Sequence, residues 1–134
     1  MIIGIGVDLV DMRRIERLLE KFGERFTQRI FTKEERTYAM TSPHSLRVYA
    51  NRFAAKEAAV KALGTGMREE ISWQEIEVRR ASSGAPLLYF YGKAYEKLVE
   101  RLPAGAQARL HVSFSDEPPY STAFVILSAE MNAS

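Results

Sequence analysis

A chain of 134 residues, 46% apolar and 27% charged, holds one domain's worth of protein and enough hydrophobic material for a single core. Those proportions exclude intrinsic disorder, and the lack of cysteine excludes a disulfide scaffold, a thiolate metal site and a cysteine nucleophile. Nineteen Lys and Arg against seventeen Asp and Glu leave a net charge of +2, too small a bias to imply nucleic acid. No apolar stretch reaches the roughly 18 residues of a membrane span. The opening Met1-Ile2-Ile3-Gly4-Ile5-Gly6-Val7-Asp8 has no basic region before its apolar run, unlike a signal peptide. The expectation is a soluble, cytoplasmic protein.

Ile3, Ile5, Val7 and Leu9 alternate with Gly4, Gly6 and Asp8, the period of a strand. From Asp11 the period lengthens: Ile15, Leu18, Leu19 and Phe22 follow helical spacing, and Gly23 ends the run. A short second helix carries Phe26 and Ile30, and Thr32 with Glu35 reads as a capping box opening a third. Pro43 and Ser45 mark a turn before the longest helical segment, Leu46 to Leu63, which Gly64 and Gly66 stop. Strands are expected at Ile76 to Arg80 and Leu87 to Tyr91 around a turn at 82–86. A helix through Ala94, Leu98 and Leu102 follows, ended near Pro103 and Gly105. Two last strands, Arg109 to Ser115 and Thr122 to Leu127, are joined across Asp116-Glu117-Pro118-Pro119. With no linker, repeat or low-complexity tract, residues 1–134 read as one α+β domain, a mostly antiparallel sheet with helices packed on it.

Four groups of residues could carry chemistry. Gly4, Gly6 and Asp8 share one face of the first strand, and the two glycines leave that face open to a close approach. Asp8 and Asp11 both also stand where a helix cap would. Glu57 projects from the largely apolar stripe of Leu46, Ala50, Phe53 and Gly64, so its carboxylate needs a partner, a proton or a metal. Lys61 follows Glu57 at i+4 and could form an ordinary surface pair with it, although Gly64-Thr65-Gly66 would let a ligand approach. Arg14, Arg17 and Lys21 stack on one helix face and Arg25 and Arg29 continue the stripe, suited to an acidic partner or to water. On the strand from Arg109, Leu110, Val112 and Phe114 are expected toward the core. His111, Ser113 and Ser115 would share the opposite face, as phosphate contacts or as the wet side of the sheet.

Together these segments resemble the bacterial holo-[acyl-carrier-protein] synthases, the small 4′-phosphopantetheinyl transferases. The resemblance is carried by Gly4-Ile5-Gly6-Val7-Asp8-Leu9-Val10 and by the run from Arg52-Phe53-Ala54-Ala55-Lys56-Glu57 to Gly64-Thr65-Gly66. Gly84-Ala85-Pro86 and His111-Val112-Ser113 follow in the family's order. Many members carry His where this chain has Asp116. The resemblance implies the family's fold and transfer of the phosphopantetheine arm of CoA to a serine of apo acyl carrier protein, with release of 3′,5′-ADP, in fatty acid biosynthesis. It implies Mg²⁺ on Asp8 and Glu57, which suits a cation that prefers carboxylate, phosphate and water oxygens. Glu57 and Lys61 become the catalytic candidates, and Glu57 or a water on the metal could serve as base. Arg52, Lys61, Gly64, Thr65, Gly84, Pro86, His111 and Ser113 become the CoA-contacting candidates. Arg14, Leu18, Arg25, Phe26 and Arg29 would dock the acidic carrier, and a homotrimer with sites between subunits is expected. Two rivals remain from the residues: a non-catalytic module binding an acidic protein through its basic helix, and a Mg²⁺-dependent pyrophosphatase.

Overall fold

In the computed structural model, which describes residues 1–65 and 70–131, strand β1 (Ile2–Asp11) leads into α1 (Met12–Phe22), α2 (Glu24–Ile30), α3 (Lys33–Thr41) and α4 (Ser45–Leu63). A short 3-10 turn, Trp73–Glu75, precedes β2 (Ile76–Arg80) and β3 (Pro86–Phe90). Helix α5 (Gly92–Glu100) and a long hairpin of β4 (Ala106–Glu117) and β5 (Tyr120–Met131) follow. The expected single sheet is two: a three-stranded antiparallel sheet in the order β1-β5-β4, and the separate hairpin β2-β3. The last hairpin is longer than its hydrophobic pattern suggested, because its strands keep pairing out to Glu117 and Tyr120 and leave only Pro118 and Pro119 to connect them. Helix α5 ends at Glu100, so Leu102 falls beyond it. Gly66 lies outside the described residues.

Local chemistry explains the helix ends. Asp11 caps α1 by accepting from the Arg13 backbone N–H at 2.9 Å. The Arg13 guanidinium also bonds the Asp11 carboxylate and holds its pKa down at about 2. Thr32 and Glu35 form the expected capping box of α3. Gly64 takes φ 76° at the end of α4, a left-handed conformation that favours glycine.

Helix α4 is the axis of the molecule and is buried on nearly every side. Its alanines at 50, 54, 55, 58, 59 and 62 keep it thin enough to lie directly on the sheet. The side of β1 that packs is the glycine side: a Cβ on Gly6 would lie 1.8 Å from the Ala58 carbonyl oxygen, and one on Gly4 would lie 2.2 Å from that of Ala62. Strand and helix backbones therefore touch, and Ala123, Val125 and Leu127 of β5 complete the contact. The apolar side of β1 faces outward instead, with Ile5, Val7 and Leu9 exposed at 55%, 52% and 65%.

The opposite side of α4 is anchored by a buried ion pair. Lys56 Nζ lies 2.8 Å from Glu35 Oε1 with both side chains fully buried, and it also donates to the carbonyls of Trp73 and Ile76. Glu35 in turn accepts from the backbone N–H groups of Thr32 and Val78. One pair thus ties α4 to α3, the Trp73 turn and β2.

Candidate active site

Asp8 sits on the packed side of β1, and the closeness of α4 brings it to the helix's C-terminal half. Lys61 Nζ lies 2.9 Å from Asp8 Oδ1 and donates to the Val7 carbonyl at 3.0 Å. The two helix-cap candidates therefore separate: Asp11 caps α1, while Asp8 turns to Lys61. Nor does Lys61 form the i+4 surface pair with Glu57, because Asp8 on the adjoining strand offers it a carboxylate and a carbonyl together.

Glu57 is left half-buried, with no hydrogen bond or ion pair to any described residue. Burial, then the charge of Asp8, pushes its pKa above the ordinary carboxylate range, against the opposing pull of Lys61 and Arg14. Asp8 and Glu57 are the two carboxylates near this helix–strand junction that could hold an oxygen-seeking cation, and no group of three or more His, Asp or Glu placed to hold a metal is found among the described residues. About two turns beyond Glu57, just past the end of α4, the Thr65 hydroxyl is buried without a partner among the described residues.

The other nucleotide candidates lie elsewhere. Five residues before Glu57, and so about 140° around the helix axis from it, Arg52 lines a cavity with Tyr38, Arg79 and Arg80. The turn of Gly84 and Pro86 adjoins that cavity, since Arg80 donates to the Gly84 carbonyl at 2.6 Å. His111 and Ser113 are exposed on the outer side of the three-stranded sheet, in register with Ile126 and Ile5 and with Phe124 and Val7. Leu110, Val112 and Phe114 pack on the core as expected. One chain therefore does not bring His111 or Ser113 to Asp8, because the sheet stands between them. Asp116, on the inner side, lies 3.7 Å from Arg47 and keeps one buried oxygen without a partner among the described residues.

Four of the five docking candidates converge. Leu18, Arg25, Phe26 and Arg29 line one groove of about 330 Å³ with Phe22, Ile30 and Trp73. Arg14 lies outside it, over the Phe53 ring at 5.5 Å and within the field of Glu57. None of Arg14, Arg17, Lys21, Arg25 or Arg29 pairs with Glu16, Glu20 or Glu24 within 4 Å, so the stripe's charge is not neutralised from within. Trp73, which stacks on Phe53 at 5.3 Å, completes the groove floor. Nothing in its spacing marked it, and its being the chain's only tryptophan was the one available signal.

Residues 4–116 match the model of the 4′-phosphopantetheinyl transferase superfamily. The holo-[acyl-carrier-protein] synthase of Methylobacterium sp. (strain 4-46) is 53% identical over 129 residues, 96% of each chain. Among solved structures, the holo-[acyl-carrier-protein] synthase of Neisseria meningitidis is 41% identical with a TM-score of 0.82, covering 96% of this chain and 99% of its own. The Bacillus anthracis synthase, solved in complex with CoA (3′,5′-ADP), is 36% identical with a TM-score of 0.75, covering 95% of this chain and 96% of its own. The chain belongs to the holo-[acyl-carrier-protein] synthases of the 4′-phosphopantetheinyl transferase superfamily.

Proposed function

We propose that this enzyme moves the 4′-phosphopantetheine arm of CoA onto a serine hydroxyl of an apo acyl carrier protein in fatty acid biosynthesis, in the cytoplasm, releasing 3′,5′-ADP. The observation that carries the reading is the meeting of Asp8, Lys61 and an unpaired, half-buried Glu57 at the β1–α4 contact. The serine oxygen forms a bond to the arm's phosphorus as the bond to the 3′,5′-ADP oxygen breaks. Asp8 and Glu57 supply the carboxylates that fit Mg²⁺, which would neutralise the pyrophosphate charge of CoA when bound. The Lys61 ammonium has three N–H groups and uses two on Asp8 and Val7, which leaves one for a phosphate oxygen. The same ammonium can hand a proton to the departing ADP. The serine proton needs an acceptor, and Glu57 or a water held beside the two carboxylates would take it. Thr65 Oγ1 and the exposed end of α4 at Gly64 extend the phosphate contacts.

The carrier docks on the α1–α2 groove, where Leu18 and Phe26 supply apolar contact and Arg25 and Arg29 attract its acidic surface. Arg14, beside the entrance, steers the carrier toward Glu57. The experiment is the intact mass of an apo acyl carrier protein after incubation with the enzyme, CoA and Mg²⁺. A gain of one phosphopantetheine arm is expected, lost when a chelator is present. The double variant Arg25→Glu with Arg29→Glu should raise the KM for the carrier roughly tenfold or more while leaving the KM for CoA unchanged. No mass gain with several carriers would overturn the transfer, and equal losses for both substrates would overturn the docking face.

The exposed row of Ile5, Val7, Leu9 and Phe124 supports self-association into a homotrimer, since an apolar patch of this kind marks an interaction surface. Association there would also let His111 and Ser113 serve the CoA site of a neighbouring copy. Sedimentation equilibrium should give the mass of three chains, and a monomer at micromolar concentration would sink this arrangement.

A further inference from the structure

The end of α4 is the wrong end of a helix for an anion. Its last carbonyls carry the negative pole of the helix dipole, roughly half an elementary charge, which repels a phosphate brought to Lys61, Gly64 and Thr65. Within that last turn the Gly64 N–H serves the carbonyls of Val60 and Lys61. The Ala62 carbonyl is served from another element: Arg101, which caps the end of α5, donates to it from Nη1 at 2.6 Å. Nη2 of the same guanidinium donates to the Ile3 carbonyl of β1. Ile3 stands where the pairing of β1 with β5 slips, between Ile2 opposite Ser128 and Gly4 opposite Leu127, and so has no partner of its own in that register. The guanidinium lies at the narrow seam that excludes a side chain from Gly4, whose Cβ would be 3.2 Å from Nη1 and 2.2 Å from the Ala62 oxygen. One exposed arginine thus joins α5, β1 and α4 at the residue after Lys61. No carboxylate among the described residues lies within 4 Å of it, so its charge stands uncancelled at the negative end of the helix.

We propose that Arg101 is a positioning residue for the transfer. It touches neither substrate. It reverses the sign of the field at the end of α4, where the phosphates of CoA are to sit, and it fixes the turn from which Lys61 reaches Asp8 and Val7. The carrier groove lies on α1 and α2 and gains nothing from it. The identity of the anion rests on the transfer reading, while the choice of residue rests on the contacts of Arg101 alone.

The test separates charge from hydrogen bonding. Arg101→Gln keeps a donor for a carbonyl and loses the charge, whereas Arg101→Lys keeps both. Each full-length protein is titrated calorimetrically with 3′,5′-ADP and with CoA in the presence of Mg²⁺, and the KM values for CoA and carrier are measured beside its melting temperature. Wild type should bind both ligands, and Arg101→Gln should bind them roughly five- to tenfold more weakly. The KM for CoA should rise by a similar factor and the KM for the carrier should not move. Arg101→Lys should return most of the lost affinity. Added salt should narrow the gap between wild type and Arg101→Gln, since an exposed charge is screened. A purely structural arginine would instead lower the melting temperature in both variants and leave the affinity ratio unchanged by salt. That pattern, or an Arg101→Gln variant that binds as tightly as wild type, would overturn the inference while the transfer reading stands. Wild type that binds neither ligand would overturn the transfer reading and the role of Arg101 with it.

Discussion

Glu57→Gln is expected to abolish carrier modification, by roughly 10²–10³-fold or more, while the protein becomes no less stable. The substitution keeps shape and volume but removes one of the two negative charges that suit a cation. Glu57 makes no hydrogen bond or ion pair with the described residues, so nothing in the core depends on its charge. The linkage argument gives the sign of the stability effect. Burial and Asp8 raise the folded-state pKa above the unfolded value near 4.5, so the native chain holds its proton to higher pH than the unfolded chain. Stability is therefore lost as pH rises from about 4.5 through the raised pKa, and Gln has no proton to lose there. Urea midpoints in metal-free buffer should show that decline in wild type and a flatter profile in Glu57→Gln, with an equal or higher midpoint at neutral pH. A variant that is both inactive and markedly less stable would instead make Glu57 a structural residue.

Lys56→Met, one position earlier on the same helix, should do the reverse and act through the fold. It leaves Glu35 buried without its cation, a change that typically costs about 3–5 kcal/mol. For a domain of this size that corresponds to a fall of roughly 10 °C or more in melting temperature. The double variant Lys56→Met with Glu35→Leu should recover part of the loss, because no charge is then left unpaired. Recovery stays partial because Glu35 also accepts from the N–H groups of Thr32 and Val78, and Leu cannot. Thermal melts of the three proteins check this, and an unchanged melting temperature in Lys56→Met would mean that the pair does not anchor α4. The neighbours Lys56 and Glu57 thus divide their labour by direction: one side of the helix is tied down so that the other can present a carboxylate.

Local sequence determined whatever depends on a few neighbouring residues: the order of helices and strands, the Thr32–Glu35 capping box, the glycine end of α4 and the polar side of β4. It also supplied the candidates for the site, since Asp8, Glu57 and Lys61 stood out by residue type and by the company they keep. The resemblance to a family assigned them a reaction. Only the tertiary structure decided which groups meet. Period-two alternation defines two sides of β1 but not which one packs. The glycine side won because α4 lies close enough to touch the backbone, and the apolar side was left to face outward. Spacing offered Glu57 as the partner of Lys61, whereas folding brought up Asp8 from 53 residues away. Likewise, spacing could not tell Asp8 from Asp11 as a helix cap, nor place His111 and Ser113 across the sheet from the carboxylates. A helix or strand pattern reaches about four residues along the chain, and a site assembled from β1 and α4 exists only once those two backbones are in contact.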